Sequence, residues 1–155
     1  MNKGTRRRGR ELALKIIYSF HDQDASIEDL LEDFWANFRF KEDILGEPLE
    51  ESSEPVSPEI RRFTEDLALG VYKNLEKIDR VIGMFSTNWT LNRMARVDFS
   101  LLRMATFELL FLPEIPSRVV INEAIEIGKR YGTKETPAFV NGILDKISST
   151  YRQPE

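Results

Sequence analysis

The chain has 155 residues, 41% hydrophobic and 31% charged, with a formal net charge of −4 at pH 7 and no cysteine. That length and composition predict one globular domain with a substantial core. They exclude a disulfide framework and a thiolate zinc site, and the lone His21 cannot supply an imidazole cluster.

The N-terminal "TRRRGRE" places Arg6, Arg7, Arg8 and Arg10 directly before an apolar-periodic run. A secretory or twin-arginine signal would need an unbroken apolar segment, but Glu11 and Lys15 interrupt "ELALKIIYSF". Leu12, Ile16, Ile17 and Phe20 recur at helical spacing and predict a first helix from about Arg6 to Phe20. At 100° per residue, Leu12, Ala13, Ile16 and Phe20 share one side, with Arg7, Glu11, Lys15 and Tyr18 on the other. Tyr18 in that phase either packs under a loop or offers a stacking platform beside cations that hold phosphates.

Ser26 opens a second helix in "SIEDLLEDFWANF", where Asp29 imitates a capping box and Ile27, Leu30, Leu31, Phe34, Trp35 and Phe38 form an apolar stripe. An acidic Pro/Ser/Gly-rich loop follows at about 40–57. Residues 22–54 hold twelve acids against Arg39 and Lys41, whereas residues 1–15 hold six bases against Glu11 alone. This asymmetry predicts a local basic site for an anionic partner on an acidic protein.

Ser57 and Pro58 suit the start of a third helix, with Ile60, Phe63, Leu67 and Val71 as its stripe. A fourth runs through "NLEKIDRVIGMF", and "STNWTLNRMARV" reads as a turn leading to a short helix. Asp98 is expected to cap "FSLLRMATFELLFL", which Pro113 and Pro116 close. This helix is apolar almost all round, so it is either central to the core or covered by a partner. "SRVVINEAIEIGKRYG" ends at Gly132, and Thr136 and Pro137 are expected to cap and open "AFVNGILDKISSTY". About seven helices without a persuasive strand predict an all-α fold.

Catalysis finds little support. "EIGKRYGTKETP" lacks the glycine spacing of a phosphate loop. No Ser-His-acid set assembles around His21. Glu123 and Glu126 read as a solvated face rather than a metal site. The longest apolar stretch, "MATFELLFL", is broken by Glu108 and is shorter than the ~20 residues of a membrane span. The expectations are therefore no enzyme, no cofactor, no metal, no membrane and a cytoplasmic protein.

Three stretches, "RRRGRELALKIIY", "LLRMATFELLF" followed by "IPSRVVINEAIEIGKRYG", and "FVNGILDK", resemble the bacterial transcription antitermination factor NusB family. The order and spacing cover most of the chain and fade between Arg39 and Pro58, where the acidic loop is longer than the family pattern. A related module begins certain ribosomal-RNA cytosine methyltransferases, whose cofactor-binding domain is not expected here. The resemblance implies a single all-α domain of two packed helical subbundles that acts as a non-enzymatic adaptor. It further implies binding of boxA-type single-stranded RNA of ribosomal-RNA leader transcripts together with NusE, a small-subunit ribosomal protein. Contact with the RNA polymerase elongation complex would then run through other Nus factors.

Arg6, Arg7 and Arg10 match the family's arginine-rich RNA-binding motif, and Tyr18 matches its tyrosine on the same helix. Phe139 is a second stacking candidate, about 85° from the centre of the stripe of Val140, Ile143, Leu144 and Ile147, with a core role as the alternative. Lys134 and Glu135 border the RNA in the resemblance, while Asn141 and Asp145 serve helix packing. Phe107 and Glu108 are the expected NusE contacts, on a face that could equally form a homodimer. The rival reading is a helical protein-interaction scaffold whose arginines are solvated charge.

Overall fold

The computed structural model describes residues 3–21, 26–37, 56–86 and 93–154. Among them are seven α-helices and no strand: α1 (Lys3–Tyr18), α2 (Ile27–Asn37), α3 (Pro58–Lys73), α4 (Leu75–Phe85), α5 (Arg96–Phe111), α6 (Ser117–Tyr131) and α7 (Thr136–Tyr151). The expectations for Phe38 and for residues 87–92 of "STNWTLNRMARV" lie outside the described residues, as does the acidic loop except for 56 and 57. The chain divides into two compact units, Met1–Tyr72 and Lys73–Glu155.

In the first unit the predicted starts of α2 and α3 are present as hydrogen bonds. The amide of Asp29 donates to Ser26 Oγ at 3.1 Å and that of Ile60 to Ser57 Oγ at 3.2 Å. Each serine satisfies one of the amides that a helix N-terminus leaves unpaired. The apolar face of α1 is buried at Leu12, Ala13, Ile16 and Ile17, and α3 contributes Leu67, Ala68 and Val71. Each such Leu, Ile or Val contributes roughly 1.5–3 kcal/mol on full burial. A short 3₁₀ turn at Ser19–His21 follows α1 and places Phe20 edge-on to Tyr72, with ring centroids 5.6 Å apart.

The other side of α1 departs from the two-faced helix expected. Glu11 is 6% and Lys15 4% exposed, and every residue from Gly9 to Ile17 is buried. The charged side is therefore solvated only near its ends, at Arg7 and Tyr18. Glu11 and Lys15 stand one turn apart with opposite charge, in the order that favours pairing along a helix. Arg10 shares the phase of Leu14 and Ile17 and goes inward with them.

The second unit is built around α5, which packs on α4, α6 and α7. From Ser100 to Leu109 only Arg103 escapes full burial. Arg103 forks onto Asp79 of α4 with contacts of 2.9 and 2.8 Å, and its guanidinium lies 4.0 Å from the Phe99 ring centroid. The all-round apolar surface of α5 is thus explained by a central position. Phe107 and Glu108, expected at a partner interface, are 8% and 1% exposed within their own unit.

Three local expectations are corrected here. Asp98 does not cap α5: the helix begins two residues earlier at Arg96, and the carboxylate accepts a hydrogen bond from Thr136 Oγ1 at 2.6 Å. Thr136 does not cap α7 either, because its hydroxyl is spent on Asp98 and on the Thr133 amide, and Glu135 occupies the cap position. Glu123 is buried at 3% rather than solvated, although Glu126 is exposed and pairs with Lys129 at 3.0 Å. Gly132 does end α6.

Candidate nucleic-acid interface

Of the four N-terminal arginines, Arg6 is exposed, Arg7 and Arg8 are half-buried, and Arg10 is 2% exposed. The difference arises from helical phase and from α3. Phe63 lays its ring against the backbone of Gly9, so closely that a Cβ there would stand 2.5 Å from Phe63 Cδ2. Thr64, the next residue, donates to the Gly9 carbonyl at 3.3 Å and to that of Ile60 at 2.8 Å. Helices can approach this closely only where one presents no side chain. The Phe63 ring then spans one turn of α1, with the Arg6 guanidinium carbon 6.0 Å and that of Arg10 5.5 Å from its centroid.

Arg6 and Arg10 are thereby brought to one ring, but with different access. Arg10 is enclosed. Arg6 is exposed and has no hydrogen bond or ion pair among the described residues, so its donors are available. Tyr18, at the other end of α1, is half-buried. Trp35 of α2 carries Arg61 of α3 over its ring at 4.8 Å, and that arginine also pairs with Glu65 at 3.0 Å.

Phe139 belongs to the second unit, one turn into α7, and is half-buried. The predicted stripe beside it is fully realised, with Val140, Leu144 and Ile147 at 0% and Ile143 at 5% exposure. The α6–α7 loop before it is tied down by Thr136: Thr133 donates its amide to that hydroxyl at 2.9 Å and its own hydroxyl to Glu135 at 3.2 Å. Lys134 and Glu135 are exposed on this loop. Asn141 and Asp145, expected to serve packing, line an open groove of 550 Å³ with Arg118, Asn122 and Ser149.

The described residues contain no grouping of three or more acids and histidines fit for a metal ion. None of their helices is long and apolar enough to cross a membrane. Sequence reasoning placed Phe63 only in a core stripe and passed over Gly9. The available signal was a glycine among good helix formers, since such a glycine costs roughly 1 kcal/mol relative to alanine and calls for a packing reason.

The NusB family model matches residues 7–149. The chain belongs to the NusB family. A transcription antitermination protein NusB from Syntrophotalea carbinolica is 66% identical over 152 residues, covering 98% of this chain and 97% of the relative. A NusB from Geobacter sulfurreducens is 47% identical over 147 residues, covering 95% and 96%. The structure of Thermotoga maritima NusB superposes with a TM-score of 0.75 at 33% identity, covering 99% of this chain and 96% of that one. A chain from a complex of the antitermination factors NusB and NusE with double-stranded RNA shares the fold, with a TM-score of 0.76 at 19% identity and coverage of 97% and 100%. The all-α NusB fold expected from the sequence is therefore present, and NusB proteins are non-enzymatic regulators of transcription.

Proposed function

We propose that the chain binds boxA-type single-stranded RNA of ribosomal-RNA leader transcripts together with NusE, and so supports processive elongation by RNA polymerase through other Nus factors. The observation that carries this reading is Arg6: an exposed cation near an aromatic ring, in a segment that resembles the family's arginine-rich motif. Phosphate contacts of this kind fix register on the RNA, while splayed bases are read by stacking and by their edges. Arg6 and Arg7 are assigned to phosphates. Arg10 shapes the strip from beneath, and Tyr18 and Phe139 supply stacking surfaces on their respective units.

For NusE, α5 is the assigned helix. Phe107 and Glu108 are too buried to dock a partner alone, so their role is to set the half-exposed residues beside them. Phe107 stacks on Phe111 with centroids 5.4 Å apart at 27°, and Lys77 lies 5.3 Å from the Phe111 centroid. The NusE contact then runs through Phe111 and Leu110, with Phe107 and Glu108 as its support.

Binding of a boxA-like RNA and of a scrambled one, each with and without NusE across a salt series, tests this function. BoxA RNA is expected to bind more tightly, and NusE to strengthen that preference. Equal and weak binding of both RNAs at every salt concentration would reject it in favour of a protein-only scaffold.

A further inference from the structure

We infer that Phe63 of α3 is a positioning residue of the RNA interface, a ring that holds the Arg6 guanidinium in place for a phosphate of single-stranded RNA. The inference rests on the RNA-binding reading of α1 and adds to it a residue outside the arginine-rich segment. An exposed arginine on the first turns of a helix ordinarily samples many rotamers, and ordering it on a phosphate costs side-chain entropy. Here α3 delivers an aromatic face to that position. The ring is itself located by backbone: it rests on Gly9, and the adjacent Thr64 is bonded to the Gly9 carbonyl.

The two arginines over the ring divide the work. Arg10, 5.5 Å from the centroid and 2% exposed, packs near the ring inside the unit. Arg6, 6.0 Å from the same centroid, is exposed. A guanidinium attracted to a ring spends none of its N–H donors on a hydrogen-bond acceptor. It is therefore pre-oriented and still fully competent to fork onto phosphate oxygens. Arg62, exposed on α3 about 100° from Phe63, has no such support among the described residues and serves as the charge control.

The test is a double-mutant cycle on affinity for a boxA-like RNA at low salt, using the full chain with NusE present, with thermal unfolding of every variant. Phe63→Leu is expected to weaken binding by about two- to fivefold, the equivalent of one exposed cation–π contact. Phe63→Tyr keeps the ring and should bind as the parent does. The decisive expectation is that Phe63→Leu has no further effect once Arg6→Ala is present, and that Arg62→Ala costs less than Arg6→Ala.

Additive losses, or unchanged binding in folded Phe63→Leu, would overturn the positioning role, as would equal losses from Arg62→Ala and Arg6→Ala. If Arg6→Ala itself leaves binding unchanged while the parent still prefers boxA RNA, the positioning role fails and the function stands. If the parent shows no boxA preference, the function fails first. Should Phe63→Leu not fold, Phe63→Met, which retains volume without a π-face, takes its place in the cycle with the same expected outcomes.

Discussion

Thr136 Oγ1 donates a 2.6 Å hydrogen bond to the carboxylate of Asp98, joining the first turn of α7 to the first turn of α5 across 38 residues of sequence. The same hydroxyl accepts from the Thr133 amide, so one buried threonine orders the α6–α7 loop and anchors it to the central helix. Thr136→Val preserves the shape and removes both bonds. It should destabilise the protein by roughly 1–3 kcal/mol, the cost of leaving a half-buried charged acceptor without its donor. Chemical denaturation measures the loss, and Asp98→Asn, which retains an acceptor oxygen, should lose less. A larger loss from Asp98→Asn would mean that the carboxylate's main partner is some other group.

Arg152 gathers the end of α5. Its guanidinium donates to the carbonyls of Leu109, Glu108 and Leu112 at 2.9, 3.0 and 3.0 Å, and also to that of Ile115. A helix leaves its last four carbonyls without partners and carries partial negative charge there, so a planar cation fits both needs. Arg152→Lys keeps the charge but loses the fork geometry. A fall in denaturation midpoint equivalent to about 1–3 kcal/mol is expected, with an unchanged m-value. Parent-like stability for Arg152→Lys would show that charge alone suffices.

Phe107 is expected to behave as a core aromatic. Truncation to alanine should cost on the order of 3–5 kcal/mol in thermal unfolding. Its removal also frees Phe111 from the stacked pair, so NusE affinity should fall in the fraction still folded. NusE binding by folded Phe107→Ala equal to that of the parent would reject the supporting role of this pair while leaving its packing role intact.

Gly9→Ala sets two effects against each other. Alanine gains up to about 1 kcal/mol of helix propensity, but its Cβ would meet the Phe63 ring at 2.5 Å. Overpacking of this kind typically costs ~1–3 kcal/mol. A net loss of stability is expected, and the Gly9→Ala, Phe63→Leu double variant should recover part of it. Thermal stabilisation by Gly9→Ala alone would show that the ring moves aside freely.

Charge removal from α1 has a distinct signature. Arg6→Ala and Arg7→Ala should each flatten the logarithmic salt dependence of RNA binding by about 0.7, because one fewer phosphate contact releases fewer counterions. Arg10→Ala, by contrast, should register first as lost stability, since that side chain is enclosed. Titrations from low to moderate salt distinguish the three, and identical slopes for all variants would count against phosphate contacts.

Amino-acid order by itself determined the helices and many of their ends, because those depend on neighbours within one or two turns. Ser26 and Ser57 bond the amides expected of them, Gly132 stops α6, and Val140, Ile143, Leu144 and Ile147 are buried together. The family and the all-α fold were legible for the same reason, in motifs whose spacing is local.

Tertiary structure decided everything that depends on which helix lies opposite. Glu11 and Lys15 look solvated on a helical wheel, yet both are buried. Phe107 and Glu108 looked like surplus apolar and charged surface until α4, α6 and α7 surrounded α5. Asp98 and Thr136 carry ordinary capping chemistry, but each satisfies the other instead. Phe63 acquired its place over Arg6 and Arg10 only because Gly9 lets α3 come within contact of the α1 backbone. Periodicity specifies the face a side chain occupies, whereas the partner it meets is set by close packing between segments far apart in sequence.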